Sequence, residues 1–225
     1  MPSKRPSHEQ ALRRQIVEAG RRLWTRGLVV ACDGNLSVRL GPKRILITPA
    51  GVNKGFLAPG ESLVVDLEGR TLRRGRKSQV PSTEMAMHLE VYRTVASAGA
   101  VIHAHPPCAT ALTVAGIPFP SDILPEIAAT LGDVPTTRLV MPGTDEDAQV
   151  VHPWLPTHRA ILLPHHGSLT YGVDLEEALE HLERIEHAAW VYWLASTSGN
   201  VNRLPRDLLA RLEALRPSSH PDRRS

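Results

Sequence analysis

The sequence predicts a single α/β domain, and three observations support this prediction. The chain has 225 residues, of which 42% are hydrophobic, enough for one sizeable core. Segments in which apolar residues recur at helical spacing alternate with short apolar runs typical of strands. No internal repeat or low-complexity linker divides the chain. We therefore expect one domain over residues 8–216, with disordered tails at residues 1–7 and 217–225.

The first half of the chain predicts two helices with three strands between them. The first helix covers residues 8–26, because apolar residues recur at helical spacing until Gly27 ends the pattern. Turn residues such as Gly41-Pro42 bound the three strands. These strands are predicted at residues 36–40, 44–48 and 62–67. Pro81-Ser82-Thr83 opens the second helix, which extends to about residue 96.

Strands and helices also alternate in the second half. The apolar run at residues 100–102 predicts a strand that Pro106-Pro107 stops, and a helix follows over residues 107–114. Two further strands are predicted at residues 136–141 and 159–163. Asp174 caps a long helix over residues 175–196, and Pro205 begins a last helix.

Composition excludes several classes of function. No stretch approaches the roughly 20 apolar residues of a membrane span, and the N-terminus leads into an amphipathic helix rather than a signal peptide. Cys32 and Cys108 form no disulfide framework, so we expect a cytoplasmic protein without membrane contact. The net charge is +3, but the basic residues cluster only at 70–77 and in the tails, so no nucleic-acid surface is predicted. A modestly positive surface does suit anionic phosphorylated metabolites.

Two histidine clusters stand at the predicted ends of strands. His103 and His105 follow the apolar run at residues 100–102, and residues two apart on a strand face the same side. His165-His166-Gly167 follows residues 160–164 in the same way. A catalytic zinc ion needs three protein ligands and an open position, and neutral imidazoles suit it. We therefore predict that His103, His105 and His166 bind zinc.

Within the second cluster, His166 is preferred because Gly167 would allow a tight turn and leave room at the metal. His165 is then a neighbour of the site. Two alternatives stay open, a closed structural zinc site and ordinary buried histidines. A closed site needs a fourth ligand, for which Cys108 is near in sequence but lies beyond two prolines.

The start of the second predicted helix carries a carboxylate and two hydroxyls. Glu84 lies in the predicted first turn, where the helix dipole favours an acid, and it could pair with His88 on the helix surface. Ser82 and Thr83 offer hydroxyls and free N–H groups, which suit either an N-cap or a bound anion. The turns at residues 34–37 and 48–51 are two further small-residue segments that suit either a plain turn or a phosphate.

Taken together, these segments resemble the class II aldolase/adducin family, and within it the L-fuculose-1-phosphate aldolase-like enzymes. The match covers residues 8–197. In the family's order, the matching segments are Gly34-Asn35-Leu36-Ser37, Ile47-Thr48-Pro49-Ala50-Gly51, Pro81-Ser82-Thr83-Glu84 with His88, His103-Ala104-His105-Pro106, and His165-His166-Gly167 before the helix at Asp174.

The resemblance implies a central, mainly antiparallel sheet flanked by helices, and a homotetramer with active sites between subunits. It also implies one zinc ion per subunit on the matching histidines and a catalytic carboxylate at Glu84. The phosphate of a phosphorylated sugar would be bound by Asn35, Gly51, Ser82 and Thr83, which fall at the family's corresponding positions.

The activity implied by the resemblance is the retro-aldol cleavage of a ketose 1-phosphate to dihydroxyacetone phosphate and an aldehyde. In that reaction Glu84 would shuttle the proton. The family's tyrosines near the aldehyde have no counterpart in residues 117–134 or after Val201, where Asp122 and Glu126 are the nearest candidates. This departure favours another ketose 1-phosphate over fuculose 1-phosphate, such as a deoxy- or methylthio-pentulose.

Four interpretations therefore stay open. The first is the aldolase. The second is a pentulose-5-phosphate 4-epimerase, which resembles the aldolase but characteristically has Asp where this chain has Glu84. The third is a methylthioribulose-1-phosphate dehydratase or a sugar-acid-phosphate decarboxylase of the same superfamily. The fourth is a non-catalytic adducin-like interaction module, which lacks the metal-binding histidines found here.

Overall fold

The structure is a computed structural model in which residues 7–75 and 79–216 are described. The two predicted tails lie outside the described residues, except for Ser7. This serine is the N-cap of helix α1, His8–Thr25: it accepts from the Gln10 N–H, and the Gln10 side chain accepts from the Ser7 N–H. Such a capping box satisfies two helix-end donors.

The described residues form one seven-stranded sheet with the spatial order β4-β3-β2-β1-β5-β7-β6, in which every strand pair is antiparallel. Its strands are β1 Asn35–Gly41, β2 Arg44–Ile47, β3 Leu63–Asp66, β4 Thr71–Arg73, β5 Ala100–Ala104, β6 Ala160–Leu163 and β7 Gly167–Gly172. The other helices are α2 Met85–Thr94, α3 Pro107–Val114, α4 Pro125–Thr130, α5 Asp145–Val151, α6 Leu175–Thr197 and α7 Arg206–Glu213, with short 3-10 helices at Lys54–Phe56 and His152–Trp154.

Helices cover both faces of the sheet, so the domain has three layers. One apolar core joins α1, α3 and α6 to one face, for example through Ile16, Ile102 and Leu182. The second core joins α2 and α5 to the opposite face, for example through Met87 and Val101. The predicted α/β domain with a mainly antiparallel sheet flanked by helices is therefore confirmed.

The predicted strand at 136–141 is wrong. Thr136 makes only an isolated parallel bridge to Leu162 of β6, and the segment then leaves the sheet. Leu139 and Met141, whose apolar character favoured a strand, are exposed instead. Within the described residues, no helix combines the length and the apolar character that a membrane span requires.

Among the strands and α-helices of the described residues, four were not predicted from the sequence: β4, β7, α4 and α5. Strand β7 is buried along its whole length, but glycines at both ends and small polar residues between hide it from a search for apolar runs. Helix α4 has only six residues, too few for a periodic pattern. The second predicted helix begins at Met85, three residues later than Ser82, and this shift moves Glu84 from the first turn to the N-cap position.

Candidate metal and phosphate site

Strand register brings the two histidine clusters together. Asn35 in β1 pairs with His103 in β5, and His103 pairs with Leu169 in β7 on its other side. His105 directly follows the end of β5, and His166 directly precedes β7. The three predicted ligands therefore lie at one end of two adjacent central strands.

The three imidazoles form a compact donor set. One ring nitrogen from each of His103, His105 and His166 lies within 4.8 Å of the others. The Nε2 atoms of His103 and His105 are 3.0 Å apart, a spacing suited to two ligands of one zinc ion at about 2.0–2.1 Å each. His103 is fully buried, while the other two rings are partly buried.

Hydrogen bonding orients the His103 ring, and burial affects the charge of the His105 ring. His103 Nδ1 lies 3.0 Å from the Ser168 carbonyl, to which it donates, so Nε2 is the ring nitrogen that faces the cluster. Burial, followed by the charges of His103 and His166, lowers the pKa of His105 to about 4, so this ring is neutral at neutral pH. This donor set fits a divalent metal such as zinc. Cys108 does not belong to this set, because its thiol and its backbone N–H both hydrogen-bond to the carboxylate of Glu186 in α6.

The Glu84 carboxylate faces the histidine cluster. Its Oε1 atom is 2.9 Å from His166 Nε2, and its Oε2 atom is 3.4 Å from His103 Nε2. Burial raises the pKa of Glu84, but hydrogen bonds from the two rings and their charges lower it more, to well below its usual range. Although Glu84 occupies the N-cap position of α2, its side chain makes no capping hydrogen bond. Helix capping therefore does not explain this residue.

The predicted phosphate-binding residues lie in neighbouring segments. The Asn35 amide nitrogen donates to Ser82 Oγ at 3.0 Å. A bridge between Pro49 and Pro81 sets the turn that contains Gly51 beside Ser82. Gly51 has a φ of +67°, with open space where a side chain would be. The strained φ favours glycine there, and the open space leaves its backbone accessible.

Thr83 lies against a second loop. A Cβ atom on Gly143 would be 3.1 Å from Thr83 Oγ1, so the loop before α5 approaches this hydroxyl closely. Asp147, which is buried, accepts a hydrogen bond from the Gly143 N–H at 2.6 Å and fixes the loop. The phosphate role of Asn35, Gly51, Ser82 and Thr83 stays a prediction.

Lys54 is a residue that sequence reasoning missed. It is 2% exposed, and its ammonium donates to the carbonyls of Cys32 and Val52 at 2.7 Å each. These carbonyls belong to the loops that contain Gly34 and Gly51, so Lys54 ties the two turns together. No local sequence pattern marks a lysine for this role, because its partners are backbone groups brought near by the fold.

Some residues of the sequence prediction lie outside the site. The His165 side chain is exposed. Its backbone N–H donates to Thr113 Oγ1 at 3.0 Å. The turn before β7 depends on His165, which has a φ of +56°, whereas Gly167 is needed for space. A Cβ atom on Gly167 would lie 2.3 Å from the Ala104 carbonyl oxygen. Asp122 pairs with Arg203, and Glu126 is exposed in α4.

The structure is thus a three-layer α/β domain with a candidate metal site, three histidines beside a carboxylate, at the ends of neighbouring strands. The chain belongs to the family of class II aldolase and adducin N-terminal domains, whose model matches residues 14–193. The resemblance found in the sequence is therefore confirmed.

Individual relatives include lyases of two kinds. The chain is 37% identical to the methylthioribulose-1-phosphate dehydratase of Methylococcus capsulatus, over 77% of this chain and 88% of that protein. It is 31% identical to the 5-methylthioribulose-1-phosphate/5-deoxyribulose-1-phosphate aldolase of Rhodospirillum rubrum, over 92% and 91%. Among solved structures, an L-fuculose 1-phosphate aldolase aligns with a TM-score of 0.82 and 28% identity, over 95% of this chain and 98% of that one.

Proposed function

We propose that the protein is a metal-dependent lyase that removes water from a 5-methylthio- or 5-deoxy-ketopentose 1-phosphate. The observation that carries the proposal is the position of Glu84. One carboxylate oxygen contacts His166 of the histidine cluster, and the other accepts from Asn35 at 2.8 Å, next to Ser82. An acid/base group thus lies between a candidate metal centre and a candidate phosphate site.

His103, His105 and His166 would hold one zinc ion per subunit, which would supply a Lewis acid for negative charge on the substrate's oxygens. The phosphate would bind to Asn35, Gly51, Ser82 and Thr83. Hydroxyl, amide and backbone N–H donors are the groups that phosphate oxygens accept from. Such remote binding also orients the sugar chain relative to Glu84.

In the dehydration, Glu84 removes the proton from C3, and the C4 hydroxyl leaves as water after it has gained a proton. The resulting enol becomes a 2,3-diketone when C4 gains a proton. The 37% identity to a methylthioribulose-1-phosphate dehydratase favours dehydration over the aldol cleavage that the sequence analysis puts first. General acid/base catalysis of this kind contributes about 10²–10⁴-fold in rate.

Aldol cleavage of the same substrate is the second candidate. The Rhodospirillum rubrum aldolase, which aligns with 92% of this chain, favours it. Here the C3–C4 bond breaks after the C4 hydroxyl loses its proton, and C3 gains a proton to give dihydroxyacetone phosphate and an aldehyde. In either reaction, Glu84 would transfer the proton at C3.

Incubation of the zinc-loaded protein with 5-methylthioribulose 1-phosphate tests the proposal. We expect a product lighter by one water, detected by mass spectrometry, and no dihydroxyacetone phosphate in a coupled assay. Stoichiometric dihydroxyacetone phosphate would instead establish the aldolase. If the protein converts none of 5-methylthioribulose 1-phosphate, 5-deoxyribulose 1-phosphate and fuculose 1-phosphate, both candidates are contradicted. The adducin-like alternative would then be favoured.

We also propose that the protein is a cytoplasmic homotetramer with active sites at subunit interfaces, as its family membership suggests. Light scattering of the purified protein tests the assembly. A stable monomer with full activity would contradict it.

A further inference from the structure

His88 is a buried histidine that the proposed reaction does not use. It is 0% exposed and lies in α2, one turn after Glu84. Its Nδ1 atom is 2.7 Å from Ser37 Oγ, and its Nε2 atom is 2.5 Å from Asn35 Oδ1. The surface pair between Glu84 and His88 that the helical spacing suggested is replaced by these two buried contacts.

Asn35 connects His88 to the site. Its amide nitrogen donates to Glu84 Oε2 at 2.8 Å and to Ser82 Oγ at 3.0 Å. The side chain is almost fully buried, at 1% exposure. One amide group therefore contacts both the proposed acid/base and a proposed phosphate ligand.

The chemistry of the donors and acceptors fixes the direction of each hydrogen bond. An ionised carboxylate only accepts, so Asn35 must turn its nitrogen to Glu84 and its oxygen to His88. That oxygen also only accepts, and His88 Nε2 must therefore carry a proton. Burial, together with the charge of His103, lowers the pKa of His88 to about 3, so the ring is neutral and Nδ1 accepts from Ser37.

The far end of this chain is anchored away from the site. Ser37 Oγ, which donates to His88, is 2.9 Å from the Tyr92 hydroxyl, so the hydroxyl donates to it. The guanidinium of Arg39 lies 4.8 Å from the centre of the Tyr92 ring. A buried network in which each member has its partner is rigid, whereas one missing donor leaves a costly unpaired group.

We propose that His88 is a positioning residue, which holds the Asn35 amide in the one orientation that presents its nitrogen to Glu84 and Ser82. Without a donor at His88, the amide is free to turn over and place its oxygen against the Glu84 carboxylate, where two acceptors repel each other. The consequence for catalysis rests on the proposed function, but the orientation itself does not.

The first arm of the test requires no substrate. In metal-loaded protein labelled with ¹⁵N-histidine, we expect His88 to show a protonated Nε2 and an unprotonated Nδ1 at neutral pH. The spectrum of the His88→Gln variant assigns the signal. A protonated Nδ1 with a bare Nε2 would overturn the proposal, whatever reaction the protein catalyses.

The second arm compares two buried histidines. His181 in α6 is 3% exposed, and its Nδ1 lies 2.9 Å from the Tyr171 carbonyl, remote from Asn35. His88→Phe should lower kcat about 10²-fold at unchanged zinc content, a loss typical of a misplaced catalytic group. His88→Gln should recover part of that loss, because its side-chain amide can donate. His181→Phe should lose stability but keep kcat.

Equal losses of kcat in the His88→Phe and His181→Phe variants, or none in either, would overturn the positioning role. If His88→Phe does not fold, Ser37→Ala replaces it. This variant removes the donor to Nδ1, and we expect a mixture of His88 tautomers and a lower kcat. A wild-type tautomer with unchanged kcat would contradict the proposal. Absence of turnover by the wild-type protein would count against the proposed function only. The orientation of Asn35 is tested separately, by the His88 tautomer that the first arm measures without substrate.

Discussion

The two faces of the sheet bury different kinds of side chain near the candidate site. The face under α1, α3 and α6 is packed with apolar side chains such as Ile102 and Leu182. The face under α2 has its own apolar core, but near the strand ends it buries Asn35, Ser37 and His88 in hydrogen bonds. Burying polar groups costs free energy unless they are paired, so the first face mainly supplies stability and the second supports the site. Substitutions on the two faces should separate these properties.

The largest effect is expected at the ends of the central strands. His103→Ala and His166→Ala should each abolish stoichiometric zinc binding and reduce turnover to near background, because two imidazoles leave an incomplete ligand set. Metal analysis of the purified variants measures this. His152→Ala, which removes an exposed histidine paired with Glu90, is the control and should keep the metal. Stoichiometric zinc in both site variants would sink the ligand assignment.

The apolar face should respond in stability alone. Leu182 is fully buried in α6, and Leu182→Ala should lower the free energy of unfolding by about 2–5 kcal/mol through lost burial and the cavity left behind. Turnover per folded molecule should not change. Denaturant unfolding beside activity assays checks both, with the exposed Leu72→Ala as control. A folded Leu182→Ala protein with strongly reduced kcat would contradict the view that this face contributes to stability alone.

A smaller effect is expected at the phosphate end. Ser82→Ala should weaken binding of a ketose 1-phosphate by about 1–3 kcal/mol, since a charge-assisted hydrogen bond is lost. The rise should be in KM, with little change in kcat. Binding of the unphosphorylated ketose should be unaffected, which serves as the matched comparison. Wild-type kinetics at low substrate concentration would remove Ser82 from the phosphate site.

The sequence predicted the parts of the protein that local pattern determines. Apolar runs closed by prolines located β5 and the two histidines at its end, and helical spacing located α1 and α6. Asn35 contacts His88, which is 53 positions away in the sequence. Lys54 contacts the carbonyl of Cys32, which is 22 positions away. No local pattern encodes such contacts, because strand register and loop packing create them. Strand β7 escaped prediction because its burial comes from its place between β5 and β6 in the sheet and not from an apolar run.

The central claim is that Glu84 moves the proton at C3, and proton exchange at C3 of dihydroxyacetone phosphate tests it most directly. This compound has no C4, so the exchange does not depend on which bond the protein breaks in its own substrate. We predict exchange by the wild-type protein and by Glu90→Gln, a control on the same helix. Glu84→Gln should keep the fold and the zinc, but its rate of exchange should fall by about a hundredfold or more. Exchange at the wild-type rate in Glu84→Gln would contradict the account.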